Sequence, residues 1–122
     1  MRFNRLPIAL TAAAVTSAVA AATAFAHTEV RSTYPGKGKT VSKNVRTVSV
    51  TFNQQIRSGT IKVTGPGGST YSSGRGGRDP RNVKRLRVSL KSSKRAGSYK
   101  ASWSIKAVDG HTQRGTFTFK VK

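Results

Sequence analysis

Between Thr47 and Val121 the chain repeatedly alternates apolar with polar residues, and after residue 26 no stretch spaces its apolar residues as a helix would. Val48, Val50 and Phe52 alternate with Thr47, Ser49 and Thr51; Ile61 and Val63 repeat the pattern, as do Leu86, Val88 and Leu90. Tyr99, Ala101, Trp103 and Ile105 share one face of a strand, and Phe117, Phe119 and Val121 one face of the next. A strand with one apolar and one polar face belongs to an antiparallel sheet that is wet on one side. Turn signals stand at Tyr34-Pro35-Gly36, Arg57-Ser58-Gly59, Ala96-Gly97-Ser98 and Asp109-Gly110. This spacing predicts a small all-β sandwich of about seven short strands, its core made by the inward faces just named.

Ahead of the alternating region lies a segment of another kind. Arg2 and Arg5 give a basic start, Leu6 to Ala24 is apolar and rich in alanine, and Ala24 and Ala26 are small residues spaced for leader cleavage. The apolar stretch also approaches the roughly 20 residues of a membrane anchor. Alanine drives insertion weakly and the small-residue end is well formed, so residues 1–26 are expected to be a cleaved leader and residues 27–122 the mature domain. Ala22-Thr23-Ala24 is a second permissible site, and a cut there would leave Phe25-Ala26 in front of His27. Removing 26 of the 122 residues leaves 96, enough for one domain with a modest core. The chain has no cysteine, which excludes disulfides, thiolate metal sites and thiol catalysis.

Charge bears on partners rather than on fold. Twenty-three Lys and Arg against three Asp and Glu give the precursor +20, and loss of Arg2 and Arg5 leaves the mature domain at +18. Such a surface attracts anionic cell-envelope polymers, acidic lipid or nucleic acid. The cations are scattered through nearly every segment, which equally describes a solvated, self-repelling surface. Gly65 to Asn82, with six glycines among serines and arginines, reads as a long flexible loop, functional or disordered. Its Gly74-Arg75-Gly76-Gly77-Arg78 run faintly resembles an Arg-Gly-Gly segment, but a single copy carries no specific nucleic-acid prediction.

The chain has only two histidines, and both sit where a metal would use them. Cleavage after Ala26 makes His27 the first residue, offering an α-amine and an imidazole from one position. His111 closes Asp109-Gly110-His111; if those residues are extended, positions i and i+2 point to one side. An amine, two imidazoles and a carboxylate suit the tetragonal preference of Cu(II) better than the tetrahedron of zinc. Taken singly, Asp109-Gly110 is equally a hairpin turn, His111 a loop residue and His27 part of a loose terminus. Glu29, third in the mature chain, is either an axial neighbour of the metal or an exposed strand carboxylate.

From His27 onward the chain resembles the CopC copper-resistance domain. The resemblance rests on the N-terminal histidine, Ser32-Thr33-Tyr34-Pro35, and Val48-Ser49-Val50-Thr51-Phe52. Its more specific part is Gly97-Ser98-Tyr99-Lys100-Ala101-Ser102-Trp103, Asp109-Gly110-His111 and Gly115-Thr116-Phe117-Thr118-Phe119, in that order. It implies a seven-stranded Greek-key sandwich, immunoglobulin-like or cupredoxin-like, with one Cu(II) per mature chain held by His27, Asp109 and His111. It further implies export to the periplasm or cell surface, a monomer, and a CopD-like membrane partner. The methionine-rich Cu(I) loop of some members is not expected, because the only methionine is Met1.

Two other functions compete. A histidine brace on a β-sandwich also resembles the lytic polysaccharide monooxygenases, but this domain is very small and Asp109 would stand where oxygen must reach. No serine-histidine-acid set or carboxylate pair suggests hydrolysis, so no enzyme activity is expected. A metal-free polyanion binder would rely on charge, with Tyr34 and Tyr71 as its available stacking rings.

Overall fold

The computed structural model describes residues 27–122; the expected leader over residues 1–26 lies outside the described residues. Two four-stranded sheets face each other. The first sets β1 (Val30–Tyr34), β3 (Thr47–Phe52), β6 (Asn82–Leu90) and β5 (Ser72–Asp79) side by side; the second sets β2 (Thr40–Val41), β8 (Thr112–Val121), β7 (Gly97–Ala107) and β4 (Ile56–Thr64). Only the β5–β6 and β7–β8 links join neighbours within a sheet; every other link crosses between the sheets. Eight strands thus stand where about seven were expected. The sandwich class is as read, and among the additions is β2, two residues that pair in parallel with the end of β8.

The inward faces are those the alternation marks. Val48, Val50, Phe52, Ile61, Val63, Leu86, Val88 and Leu90 are buried, as are Tyr99, Ala101, Ile105, Phe117, Phe119 and Val121. Trp103 shares their face but is only partly buried, its ring edge-on to Phe52 at 5.1 Å between centroids. Tyr71, expected as an exposed stacking ring, is instead buried and edge-on to Tyr99 at 4.9 Å. Tyr34 is exposed.

Two expectations fail for one physical reason, which is that glycine also serves inside strands that bulge. Arg57-Ser58-Gly59 is not a turn but an irregularity within β4, where the register slips between Ile56 and Ser58. The supposed loop from Gly65 to Asn82 holds a short 3₁₀ turn, Pro66–Gly68, and then β5. From Ser73 to Gly77 the strand advances four residues while its partner β6 advances only from Ser89 to Arg87. Gly74 (φ 78°) and Gly76 (φ 71°) absorb the excess in the left-handed region.

Gly76 is also packed: a Cβ there would stand 2.5 Å from the Arg87 carbonyl oxygen and 2.8 Å from Ile61 Cγ2. Strain and overpacking together predict a loss of about 2–4 kcal/mol for Gly76→Ala. Gly74 has open space around its Cβ direction, so Gly74→Ala should lose only the conformational part, about 1–2 kcal/mol. Urea denaturation of the two variants checks the contrast; equal losses would show that close packing at Gly76 contributes nothing.

Strand pairing fixes which loops share an end of the sandwich. Asn53 pairs with Glu29, Ile56 with Ala107, and Asp79 with Asn82. The start of β1, the β3–β4 link, the β5–β6 turn and the β7–β8 turn therefore lie at one pole. The links before β3 and after β6 lie at the other.

Candidate metal centre

The β7–β8 turn builds the centre from its backbone upward. Ala107 N–H donates to the His111 carbonyl at 2.8 Å and Gly110 N–H to the Ala107 carbonyl at 2.9 Å. Gly110 turns the chain with φ 94°, a value that side-chain-bearing residues rarely adopt. Residues 109–111 are thus a turn and not the extended segment that would have aligned positions i and i+2. The two side chains meet all the same, because the turn folds the carboxylate over the residue that follows. Asp109 Oδ1 accepts the His111 N–H at 2.9 Å, and Oδ2 stands 2.9 Å from His111 Nδ1. Arg57, on β4, donates from Nη2 to the Val108 carbonyl at 3.4 Å and ties the turn to the neighbouring strand.

Electrostatics at this pair are set by those bonds. The His111 backbone N–H, and after it the His111 ring, hold the Asp109 carboxyl below its ordinary range. Asp109 therefore stays ionised through neutral pH and sets a fixed negative charge at the tip of a strongly basic domain.

The N-terminal arm is brought to the same pole by residues that sequence reasoning did not single out. Thr28 is buried, and its carbonyl accepts a 2.7 Å bond from Nε2 of Gln113, two residues beyond His111 on β8. Glu29 is clamped next to it: its N–H donates to Asn53 Oδ1 at 2.8 Å and its carbonyl accepts from Asn53 N–H at 2.9 Å. The Glu29 side chain is exposed. His27, the first described residue, is exposed one position before this anchor. Among the described residues no group of three or more His, Cys, Asp or Glu side chains is close enough to hold an ion. The structure thus pairs Asp109 with His111 and anchors the residue after His27 nearby, without gathering all three. Nothing local marked Gln113, since its partner lies 85 residues away in sequence.

The donors fit copper chemistry. Nitrogen and carboxylate oxygen, with no thiolate in the chain, are the ligand types that Cu(II) favours. His27 could offer a second nitrogen only with no residue before it, because a peptide nitrogen bonded to Ala26 is an amide and not an amine.

Among the described residues, the chain is a small two-sheet sandwich with an aspartate–histidine turn beside its N-terminal arm. The CopC domain profile matches residues 30–122, and the chain belongs to the CopC family of copper-resistance domains. Protein YobA of Escherichia coli K12 is 28% identical over 112 residues, covering 90% of each chain. The crystal structure of CopC from Methylosinus trichosporium OB3b superposes with a TM-score of 0.65 at 19% identity, covering 79% of this chain and 94% of that one. PcoC from Escherichia coli, described as a methionine-rich copper resistance protein, superposes at 0.64 with 20% identity, covering 79% and 99%. At these identities the two structures establish the shared fold.

Proposed function

We propose that the protein is an exported Cu(II) carrier that sequesters or delivers copper outside the cytoplasmic membrane, without enzymatic activity. One ion per mature chain is held by the amine and imidazole of His27, the imidazole of His111 and the carboxylate of Asp109. The observation that carries this reading is the Gln113–Thr28 hydrogen bond, which anchors the N-terminal arm beside the strand that begins just after His111.

Each residue has a distinct part. His27 supplies two nitrogens once cleavage frees its amine. Asp109 supplies a charge that offsets part of the domain's repulsion toward cations, a repulsion already screened beyond about 8 Å at physiological salt. Gln113 and Asn53 hold the arm so that ordering it costs less on binding. A chain whose one methionine is Met1 has no soft site for Cu(I), unlike a methionine-rich protein such as PcoC. A CopD-like membrane transporter is the partner that would receive or supply the ion.

Gln113→Ala tests the anchoring. Loss of a group that orients a ligand typically weakens metal binding by about 10–100-fold, whereas the lost hydrogen bond should lower stability by only about 1 kcal/mol. Calorimetric Cu(II) titration together with urea denaturation separates the two effects. Unchanged affinity at slightly reduced stability would remove the N-terminal arm from the site.

A further inference from the structure

The pole opposite the β7–β8 turn carries a feature that copper binding does not use. A groove of about 540 Å³ opens there, where the link before β3 and the link after β6 flank the ends of those strands. Lys43, Arg46, Arg87 and Lys94 line it, with Asn44 and Ser89 between them. Lys94 is the unusual member. It is only 9% exposed, and its ammonium donates to the carbonyls of Lys91 at 2.8 Å and Ser92 at 3.3 Å. Among the described residues no carboxylate pairs with any of these four cations. The Lys94 ammonium rests against two neutral carbonyls, with no carboxylate beside it to offset the field of the four cations within the groove.

The groove does not end as a cup. Across Thr47 and Arg87, which line both, it continues into a second hollow of about 270 Å³ that holds Tyr34, Arg81 and Arg85. The acid in this second hollow, Asp79, is buried and already engaged by Arg85 at 3.6 Å and by the Arg81 N–H at 2.9 Å. Together the two hollows follow the outward face of β6 from Ser89 to Arg85, a run of about 13 Å at strand spacing.

We propose that this track binds a linear polymer bearing phosphate groups. Two features favour phosphate on a chain over a single small anion: the track is longer than one ion needs, and it alternates arginine forks with hydroxyl and amide donors. Arginine matches phosphate oxygens two at a time, while lysine acts as a point charge. Exposed Tyr34 adds an apolar surface for the linker between phosphates. Because the track runs along the outward face of the β1–β3–β6–β5 sheet while the β7–β8 turn belongs to the other sheet, a bound polymer tethers the domain and leaves that turn open to its partners. The inference stands apart from the copper reading and is testable with copper chelated.

The probe is long-chain inorganic polyphosphate, with inorganic phosphate and polygalacturonate, a carboxylate polymer, beside it. Arg46→Gln with Arg87→Gln is compared with Lys100→Gln plus Lys120→Gln, which removes the same charge from exposed positions on the other sheet. The expected result is saturable binding of polyphosphate that inorganic phosphate does not displace at equal phosphate concentration. The first pair should weaken it by about tenfold or more, with a fall of about 1.4 in the log–log salt slope for two lost phosphate contacts. The second pair should weaken it by less than about threefold. Equal weakening by both pairs would overturn the site in favour of diffuse charge. Displacement by inorganic phosphate would overturn the polymer, and equal affinity for polygalacturonate would overturn phosphate.

Discussion

Replacing His27 with alanine should remove tight Cu(II) binding from the mature protein. The substitution leaves the α-amine but takes the imidazole that closes a chelate ring with it, so the ion loses both a donor and its pairing. Structural zinc sites with four donors are worth on the order of 10–16 kcal/mol at neutral pH; by that scale, losing a chelating donor should cost several kcal/mol, or about a thousandfold in affinity. His111→Ala should cost a similar amount by removing the other imidazole that would hold the ion. Neither change touches the core: both side chains are exposed. Metal-free stability should therefore shift by no more than about 0.5 kcal/mol. The pH dependence follows from the same ligands. Coordinating nitrogens must be unprotonated, so affinity should fall on acidification, measured from about pH 8 to about pH 6. Asp109, held ionised by its bonds from His111, adds nothing to that slope until the pH is lower still. A flat affinity across the range, measured by competition with a chelator of known pH behaviour, would contradict nitrogen ligation.

The second large effect lies in the core. Tyr99 is 1% exposed, stacked on Phe119 at 5.4 Å and edge-on to Tyr71 at 4.9 Å. Its hydroxyl donates to the Arg95 carbonyl at 2.5 Å, fixing the link that leads into β7. Burial, followed by the neighbouring Tyr71, raises the phenol above its ordinary range, so it remains a neutral donor at any physiological pH. Tyr99→Ala should lose about 3–5 kcal/mol, as aromatic-to-alanine changes in cores do. A domain of this size with no disulfide has little more than that to lose, so the variant should be largely unfolded near body temperature. Tyr99→Phe keeps the ring packing and should lose only about 1 kcal/mol for the hydrogen bond. Thermal unfolding followed by tryptophan fluorescence checks both, since Trp103 packs against the same core. A mild loss in the alanine variant would mean that Phe119 and Tyr71 collapse into the space and that the core does not depend on the Tyr99 ring.

How far the sequence reveals the molecule depends on the range of the signal. Alternation is local, so the inward faces of β3, β6, β7 and β8 were readable residue by residue. The Asp109-Gly110 turn was readable because Asp-Gly between two alternating strands is a local hairpin signal, and Gly110 indeed takes a positive φ of 94°. β5 was not, since Ser72 to Asp79 has no apolar alternation and its glycines mark a bulge against β6, a feature defined only by the partner strand. Tyr71 was misplaced for the same reason: it stands between a glycine turn and a polar strand, and only the sandwich as a whole encloses it. Asp109 and His111 were visible as a pair, though the bonds that unite them belong to a turn and not to a strand. Gln113 and Asn53 were silent, because anchoring the N-terminal arm is a long-range relation between unremarkable amides. Lys94 was one cation among many until its burial against two carbonyls set it apart.

The central claim is that a free N-terminal histidine completes the copper site at the β7–β8 turn. It is tested most directly by electron paramagnetic resonance during Cu(II) titration of two proteins, one beginning at His27 and one carrying a single extra residue before it. The account predicts saturation at one copper with a nitrogen-rich tetragonal spectrum in the first, and loss or alteration of that spectrum in the second. Identical spectra and stoichiometry in the two proteins would contradict it.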